Sequence, residues 1–254
     1  MPARVSEAIV LRTYPLKEAD LVVSFFTREQ GKLRGVAKRA RRPKSRFGAG
    51  LERLSQVKMF YFQKETRELV DLDSCELVHS QFELISDYTM SVALDYIAEV
   101  SEQLLPAAEA NERYYRLLVA VLDHLRARGI EGVWRAVVYF SLWAVRLAGF
   151  LPALHVCLEC GAWLDAPESP ERTYFTRSAA GLACVNCRTG GSRELTVESR
   201  ALAREMLRKP VEQIDNGAWT RSTASDLRHY LVERIEDTIE RRLNTAPVLE
   251  ACQP

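Results

Sequence analysis

The sequence predicts an α+β chain of more than one domain: a small β-barrel, then a helical domain that carries a four-cysteine insert. Three observations predict it. Apolar residues recur with a period of two up to about residue 78, they recur with a helical period after residue 80, and two C-x2-C pairs interrupt the helical part between 152 and 192. At 254 residues the chain is long enough for two hydrophobic cores, and 47% apolar with 27% charged residues is ordinary globular composition. Barrel and helical domain are placed at 1–80 and 81–254.

The barrel is built from "EAIVLR", "DLVVSFFT", "KLRGVAK", "VKMFYF" and "ELVDLDSCELV", each rich in β-branched and aromatic residues. Pro15, Glu29–Gly31, the Gly/Arg/Pro/Lys stretch and Lys64–Arg67 separate them. In "VKMFYF", Val57, Met59 and Tyr61 alternate with Lys58, Phe60 and Phe62, as a strand with one buried face requires. Five such strands in some 70 residues suggest a closed five-stranded barrel; the OB-fold is the leading candidate, and an SH3-like barrel fits the count nearly as well.

The helices follow in order. Met90, Ala93, Leu94, Ile97 and Leu104 share a face before Pro106; Leu117, Leu118, Val121, Leu122 and Leu125 share another between Asn111 and Gly129. A third helix over 131–148 is apolar nearly all round, which predicts the buried centre of a bundle. Residues 196–208 and 223–243 supply two more, the last with Leu227, Leu231, Ile235, Ile239 and Leu243 at i, i+4 spacing.

The insert contains "CLECGAWLDAPESPERTYFTRSAAGLACVNC". Cys157 and Cys160, then Cys184 and Cys187, form two knuckles separated by 23 residues. Two such knuckles converge four thiolates on one tetrahedral ion, and zinc is the expected metal. Four sulfur ligands close the coordination sphere, so the ion is expected to be structural. Gly161 lets the knuckle's backbone amides approach the sulfurs. Cys75 and Cys252 are singletons, read as ordinary thiols.

Residues 31–50, "GKLRGVAKRARRPKSRFGAG", hold eight Lys or Arg and no acid, and the formal net charge of +1 then leaves −7 for the rest. Mixed charges suffice for solubility, so a patch of one sign predicts a polyanionic partner. Pro43 and the Gly48–Gly50 pair break any continuous basic helix, leaving a charged loop between barrel strands, where an OB-fold presents its nucleic-acid groove. Lys32, Arg34, Lys38, Arg39, Arg41, Arg42, Lys44 and Arg46 are the candidate phosphate contacts, and Phe47, inside the run, is the candidate base-stacking ring. Phe25, Phe26, Phe60, Tyr61 and Phe62 are divided by alternation between core and surface.

Several classes are excluded or left without support. No P-loop, G-x-S-x-G or H-E-x-x-H occurs, and none of the four histidines begins a zinc-deaminase H-x-E. Asp71, Asp73 and Glu76 read as a solvated strand face rather than a nuclease site. No enzyme is expected. The most apolar run, "AVVYFSLWAV", is ten residues between Arg135 and Arg146, against the roughly 20 that a membrane helix needs, so a cytoplasmic protein with no membrane partner is expected. Two other readings share these features: a zinc-ribbon RNA-binding protein, and an adaptor whose basic loop binds an acidic protein.

Two blocks carry a family resemblance. "AIVLRTYPLKEADLVVSFFTREQGKLRGVAKRARRPKSRFGAGLERL" and "RLAGFLPALHVCLECG" followed by "GLACVNC" resemble the bacterial recombination mediator family RecO. The resemblance spans residues 1 to about 245. It implies an OB-fold and a helical domain with a zinc module, binding of single- and double-stranded DNA, and annealing of complementary strands. It also implies help, together with RecR, in placing RecA on DNA coated by single-strand-binding protein, whose C-terminal tail such a mediator recognises. DNA contact is carried by the resemblance onto the eight cations named above. Arg39 departs from the pattern, which leads one to expect a glycine there. Arg135 and Arg146, near each other on one helix face, are candidate rim residues of a tail pocket.

Overall fold

The computed structural model describes residues 3–63, 68–165, 172–177, 179–214 and 221–252. The turn expected at 64–67 lies outside the described residues, as do 166–171 and 178 of the cysteine insert. Five strands, β1 (Ala3–Pro15), β2 (Leu21–Thr27), β3 (Gly31–Ala37), β4 (Gln56–Phe62) and β5 (Leu69–His79), close into a barrel of order β1-β2-β3-β5-β4. All pairings are antiparallel except β3 with β5, which run parallel over Arg34–Ala37 and Leu69–Leu72. This is the five-stranded OB-like barrel expected from the sequence.

Alternation fills the barrel as the period of two requires: Val10, Phe25, Leu33, Val57, Met59 and Tyr61 meet inside. Phe25 and Tyr61 pack edge to face at 5.9 Å, and the Tyr61 hydroxyl, held among apolar rings, accepts from Gln30 Nε2 at 2.8 Å. A β-bulge between Val10 and Arg12 bends β1, helping a short sheet to close. Gly31, at φ +76°, makes the β2–β3 turn, and a Cβ there would stand 2.0 Å from the carbonyl oxygen of Glu109. Only glycine fits that approach.

Packing divides the chain into two compact units, residues 1–119 with 243–254, and residues 120–242. The cut falls elsewhere than the sequence boundary at 80/81. In the first unit the barrel is joined by α1 (Tyr88–Leu104), which packs on β1 and on α6 (Thr245–Ala251). Asp87 caps α1, its carboxylate accepting from Met90 N at 2.9 Å. The buried carboxylate of Glu99 on α1 accepts four hydrogen bonds, from N and Nδ2 of Asn244 and from N and Oγ1 of Thr245. These fix the start of α6. Helix α2 (Glu112–Arg128) crosses the division between the units.

In the second unit α3 (Val133–Leu147), apolar on most sides, is buried against α4 (Val197–Met206) and α5 (Arg221–Thr238). The cysteine insert lies between α3 and α4 in sequence and contributes a two-stranded sheet, β6 (Thr173–Phe175) with β7 (Arg193–Leu195). The single helix expected over 223–243 is corrected. It ends at Thr238, because Glu240 takes φ +54° and the N–H of Arg241 turns back to the carbonyl of Glu236, a left-handed helix stop made without glycine.

Candidate nucleic-acid interface and metal centre

The basic loop leaves β3 at Lys38 and runs to Arg46 as a chain of turns, with Arg42 N bonded to Arg39 O and Ser45 N to Arg42 O. It is tied to the β1–β2 turn: the N–H of Arg39 donates to Asp20 Oδ1 at 2.8 Å and that of Arg41 to the carbonyl of Ala19 at 3.0 Å. Arg39 and Lys44 sit at φ +57° and +61°. The position where the family pattern predicts glycine therefore does demand a left-handed residue, and arginine takes it at a steric cost.

Between this loop and the strands lies a groove of about 670 Å³, lined by Lys38, Arg39, Arg42, Lys44 and Arg46 on one side and by Phe62, Asp71, Leu72 and Asp73 on the other. The eight candidate cations separate here into three groups. Lys32 and Arg34, on β3, turn to α1: Lys32 Nζ donates to the carbonyl of Glu102 at 2.5 Å and Arg34 donates to its carboxylate at 2.8 Å. Burial pushes the Lys32 ammonium below its ordinary pKa, with Glu102 opposing the shift. Lys38 and Arg46 face acids in the groove, 3.5 Å from Asp71 and 2.8 Å from Asp73. Arg39, Arg41, Arg42 and Lys44 are exposed, and their side chains meet no acid among the described residues.

One candidate is corrected. Phe47 is 4% exposed and packs with Leu51, Val57, Met59 and Leu72 in the barrel core, so its ring is not free to stack on a base. The short 3-10 turn at Gly48–Leu51 folds back under the loop and carries the ring inward. Phe62, partly buried at the end of β4, is the aromatic that lines the groove beside Phe47. Asp71 and Asp73 are the groove residues that sequence reasoning missed as such. Their alternation on β5 was the available signal, but the partners follow only from the β3–β5 and β4–β5 registers.

In the second unit the four insert cysteines converge, all four Sγ atoms lying within 4.8 Å of one another. Cys160 and Cys184 Sγ stand 3.8 Å apart, and thiolates about 2.3 Å from one tetrahedral ion are themselves separated by about 3.8 Å. Burial pushes the Cys157 thiol up, yet hydrogen bonds from the backbone of Cys160, Cys184 and Glu159 outweigh it and bring it down to about 6. Cys187, by contrast, is pushed up by its hydrogen bonds with Cys160 and Cys184. Gly161, at φ +72°, closes the first knuckle with its N–H on the carbonyl of Cys157 at 3.0 Å. His155 packs on Trp163, ring centroids 4.7 Å apart, outside the sulfur cluster.

Two buried arginines hold the insert. Arg200, 0% exposed on α4, donates to the carbonyls of Leu154 and Leu164 and pairs with Asp165 at 2.5 Å. Arg234 on α5 donates to the carbonyls of Thr176 and Arg177. Of the candidate rim residues, Arg146 lies over the Trp143 ring at 5.6 Å. No helix among the described residues is long and apolar enough to cross a membrane.

Comparison with known proteins matches two family models in succession, Recombination protein O N terminal over residues 1–81 and Recombination protein O C terminal over residues 85–247. A DNA repair protein RecO of Koribacter versatilis is 46% identical over 246 residues, covering 96% of this chain and 97% of the relative. One of Syntrophotalea carbinolica is 34% identical over 185 residues, 73% of this chain and 69% of the relative, and one of Cutibacterium acnes is 29% identical over 254 residues, 98% and 100%. With a barrel, a four-cysteine cluster and both family models along one chain, the protein belongs to the RecO family of DNA repair proteins.

Proposed function

We propose that this chain is a recombination mediator that binds single- and double-stranded DNA through the 38–46 loop and anneals complementary strands. With RecR, it assists loading of RecA onto DNA coated by single-strand-binding protein, whose C-terminal tail it recognises. The observation that carries the reading is the set of four exposed cations, Arg39, Arg41, Arg42 and Lys44, free of acids on a loop pinned at both Ala19 and Asp20. Pinned cations neutralise phosphates without the ordering cost of a free loop, and two backbones drawn to one positive rim pair without nucleotide hydrolysis. Phe62 takes the stacking role beside them. The reading assigns no bond-breaking step to the chain and places it in the bacterial cytoplasm.

We further propose that zinc is the ion held by Cys157, Cys160, Cys184 and Cys187. Bound there, it supplies a closed structural cross-link and no reactive position. Arg200 and Arg234 then carry the rigidity of the insert to α4 and α5.

The test is annealing of two complementary oligonucleotides, each coated with the cognate single-strand-binding protein, without nucleotide. Acceleration is expected, and it should vanish when Arg39, Arg41, Arg42 and Lys44 are all changed to Gln. On bare single strands the same change should flatten the slope of log affinity against log salt by about 0.7 for each phosphate that is no longer neutralised. Acceleration by the quadruple variant at the original rate would sink the assignment of the loop.

A further inference from the structure

Strand β5 has an edge that the barrel leaves open. Its partner β3 covers only Leu69–Leu72, and from Asp73 to His79 the strand is paired on the β4 side alone. Among the described residues no other backbone-to-backbone hydrogen bond reaches that edge. The Gly48–Leu51 turn packs on β5 at Cys75, whose Sγ donates to the carbonyl of Phe47 at 3.3 Å, so the side chains lie fully open from Glu76 to His79. Edge strands are normally guarded by lysine, proline or a covering element. This one instead exposes Leu77 and Val78, and the chain continues into Phe82, Ile85 and Tyr88, of which Phe82 and Tyr88 are 64% and 69% exposed. The Gln81 side chain, donating to the carbonyl of Leu54, fixes the segment to the barrel, so these side chains are held outward by the fold.

Charge identifies what fits. Residues 68–112 contain eleven Asp or Glu and no Lys or Arg. Several of these acids are answered from within the unit: Asp71 by Lys38, Asp73 by Arg46, Asp95 by Arg53, Glu102 by Arg34 and Glu112 by Arg28. Glu76 and Glu83, which flank the exposed apolar side chains, meet no cation among the described residues, although Lys58 lies opposite Glu76 in the β4–β5 register. We propose that the Asp73–His79 edge, with Phe82, Ile85 and Tyr88, docks an extended segment of another protein that alternates apolar residues with Lys or Arg. Unpaired strand edges bind main chain, the apolar side chains bind its alternate residues, and the acids select cations and repel nucleic acid. The surface meets the groove at Asp73, which is paired with Arg46, but its unanswered acids, Glu76 and Glu83, are opposite in charge to the loop, so it does not rest on the DNA reading.

A short peptide alternating Lys and Val, its Glu–Val counterpart, and the Lys–Val peptide N-methylated on alternate amides serve as probes against the full chain. Affinity is read by fluorescence anisotropy and the site by amide deuterium exchange. The Lys–Val peptide should slow exchange across 73–79 and bind at least roughly ten-fold more tightly than the Glu–Val peptide, with N-methylation abolishing binding. A variant carrying Glu76→Lys and Glu83→Lys, both at exposed positions, should reverse the preference at unchanged Tm. Equal binding of the two peptides, or protection confined to residues outside 73–88, overturns the proposal. So does protection of 73–79 that rises with protein concentration alone, which would make the occupant a second copy of this chain.

Discussion

Phe47 and Phe62 border the same groove, but one ring is part of the barrel core and the other is partly open to the groove. Phe47→Ala should cost about 3–5 kcal/mol of stability, as an emptied core position does. Phe62→Ala should leave Tm unchanged and weaken single-strand binding by about 1–3 kcal/mol, the contribution of one stacked base. Calorimetry and anisotropy on the two variants separate these outcomes. Across the groove, Asp71 and Asp73 pair with Lys38 and Arg46, two of the cations proposed to contact phosphate. Changing both to Asn should tighten DNA binding and steepen its salt dependence; an unchanged slope would mean the pairs do not compete with phosphate. The cations and the four cysteines were legible in the sequence because residue type and local spacing define them. The direction of the Phe47 ring was not, because it is set by the turn at Gly48–Leu51 rather than by strand alternation.

Among the elements, α6 packs on α1 through Ala246 and Leu249, and its start is held by one carboxylate. Burial pushes the Glu99 pKa up, but hydrogen bonds from Thr245 and Asn244 prevail and hold it below the ordinary glutamate value of 4.5. A depressed folded-state pKa adds stability above the unfolded value, and that stability is lost as pH falls through the folded one. Amide exchange over 243–252 should therefore accelerate once the pH falls below the ordinary glutamate value, and Glu99→Gln should show the faster exchange already at neutral pH. The two-helix ending escaped the sequence reading because Ile239 and Leu243 continue the i, i+4 pattern across the break. Asn244 before Thr245, with Pro247 in the first turn, was the start signal that could have revealed it. The cysteine insert is anchored from two helices through Arg200 and Arg234. Chelation should accordingly raise exchange across 154–195 and along α4 and α5, while amides of the barrel strands stay protected.

The whole molecule separates charge along its sequence, cations over 31–50 and acids over 68–112, and the first compact unit holds both. A net charge of +1 conceals two stretches of opposite sign within one small unit, the separation that the two proposed surfaces, one for DNA and one for a basic protein segment, both require. The barrel, its strand order aside, was legible because five short alternating runs admit few closures. The packing of residues 243–252 on α1 was not, because a pairing so distant in sequence leaves no local periodicity. Truncation after Arg242 should lower the Tm of the barrel-containing unit and spare residues 120–242, as read by exchange in each region.

That return of α6 to the first unit sets an order of events on the ribosome. The strands of the barrel emerge first, yet the helix that completes their unit is translated only after all of residues 120–242. The later unit, contiguous in the chain, can finish folding before the earlier one does. During that interval the barrel is already outside the tunnel while the face of α1 that α6 covers stays bare to solvent.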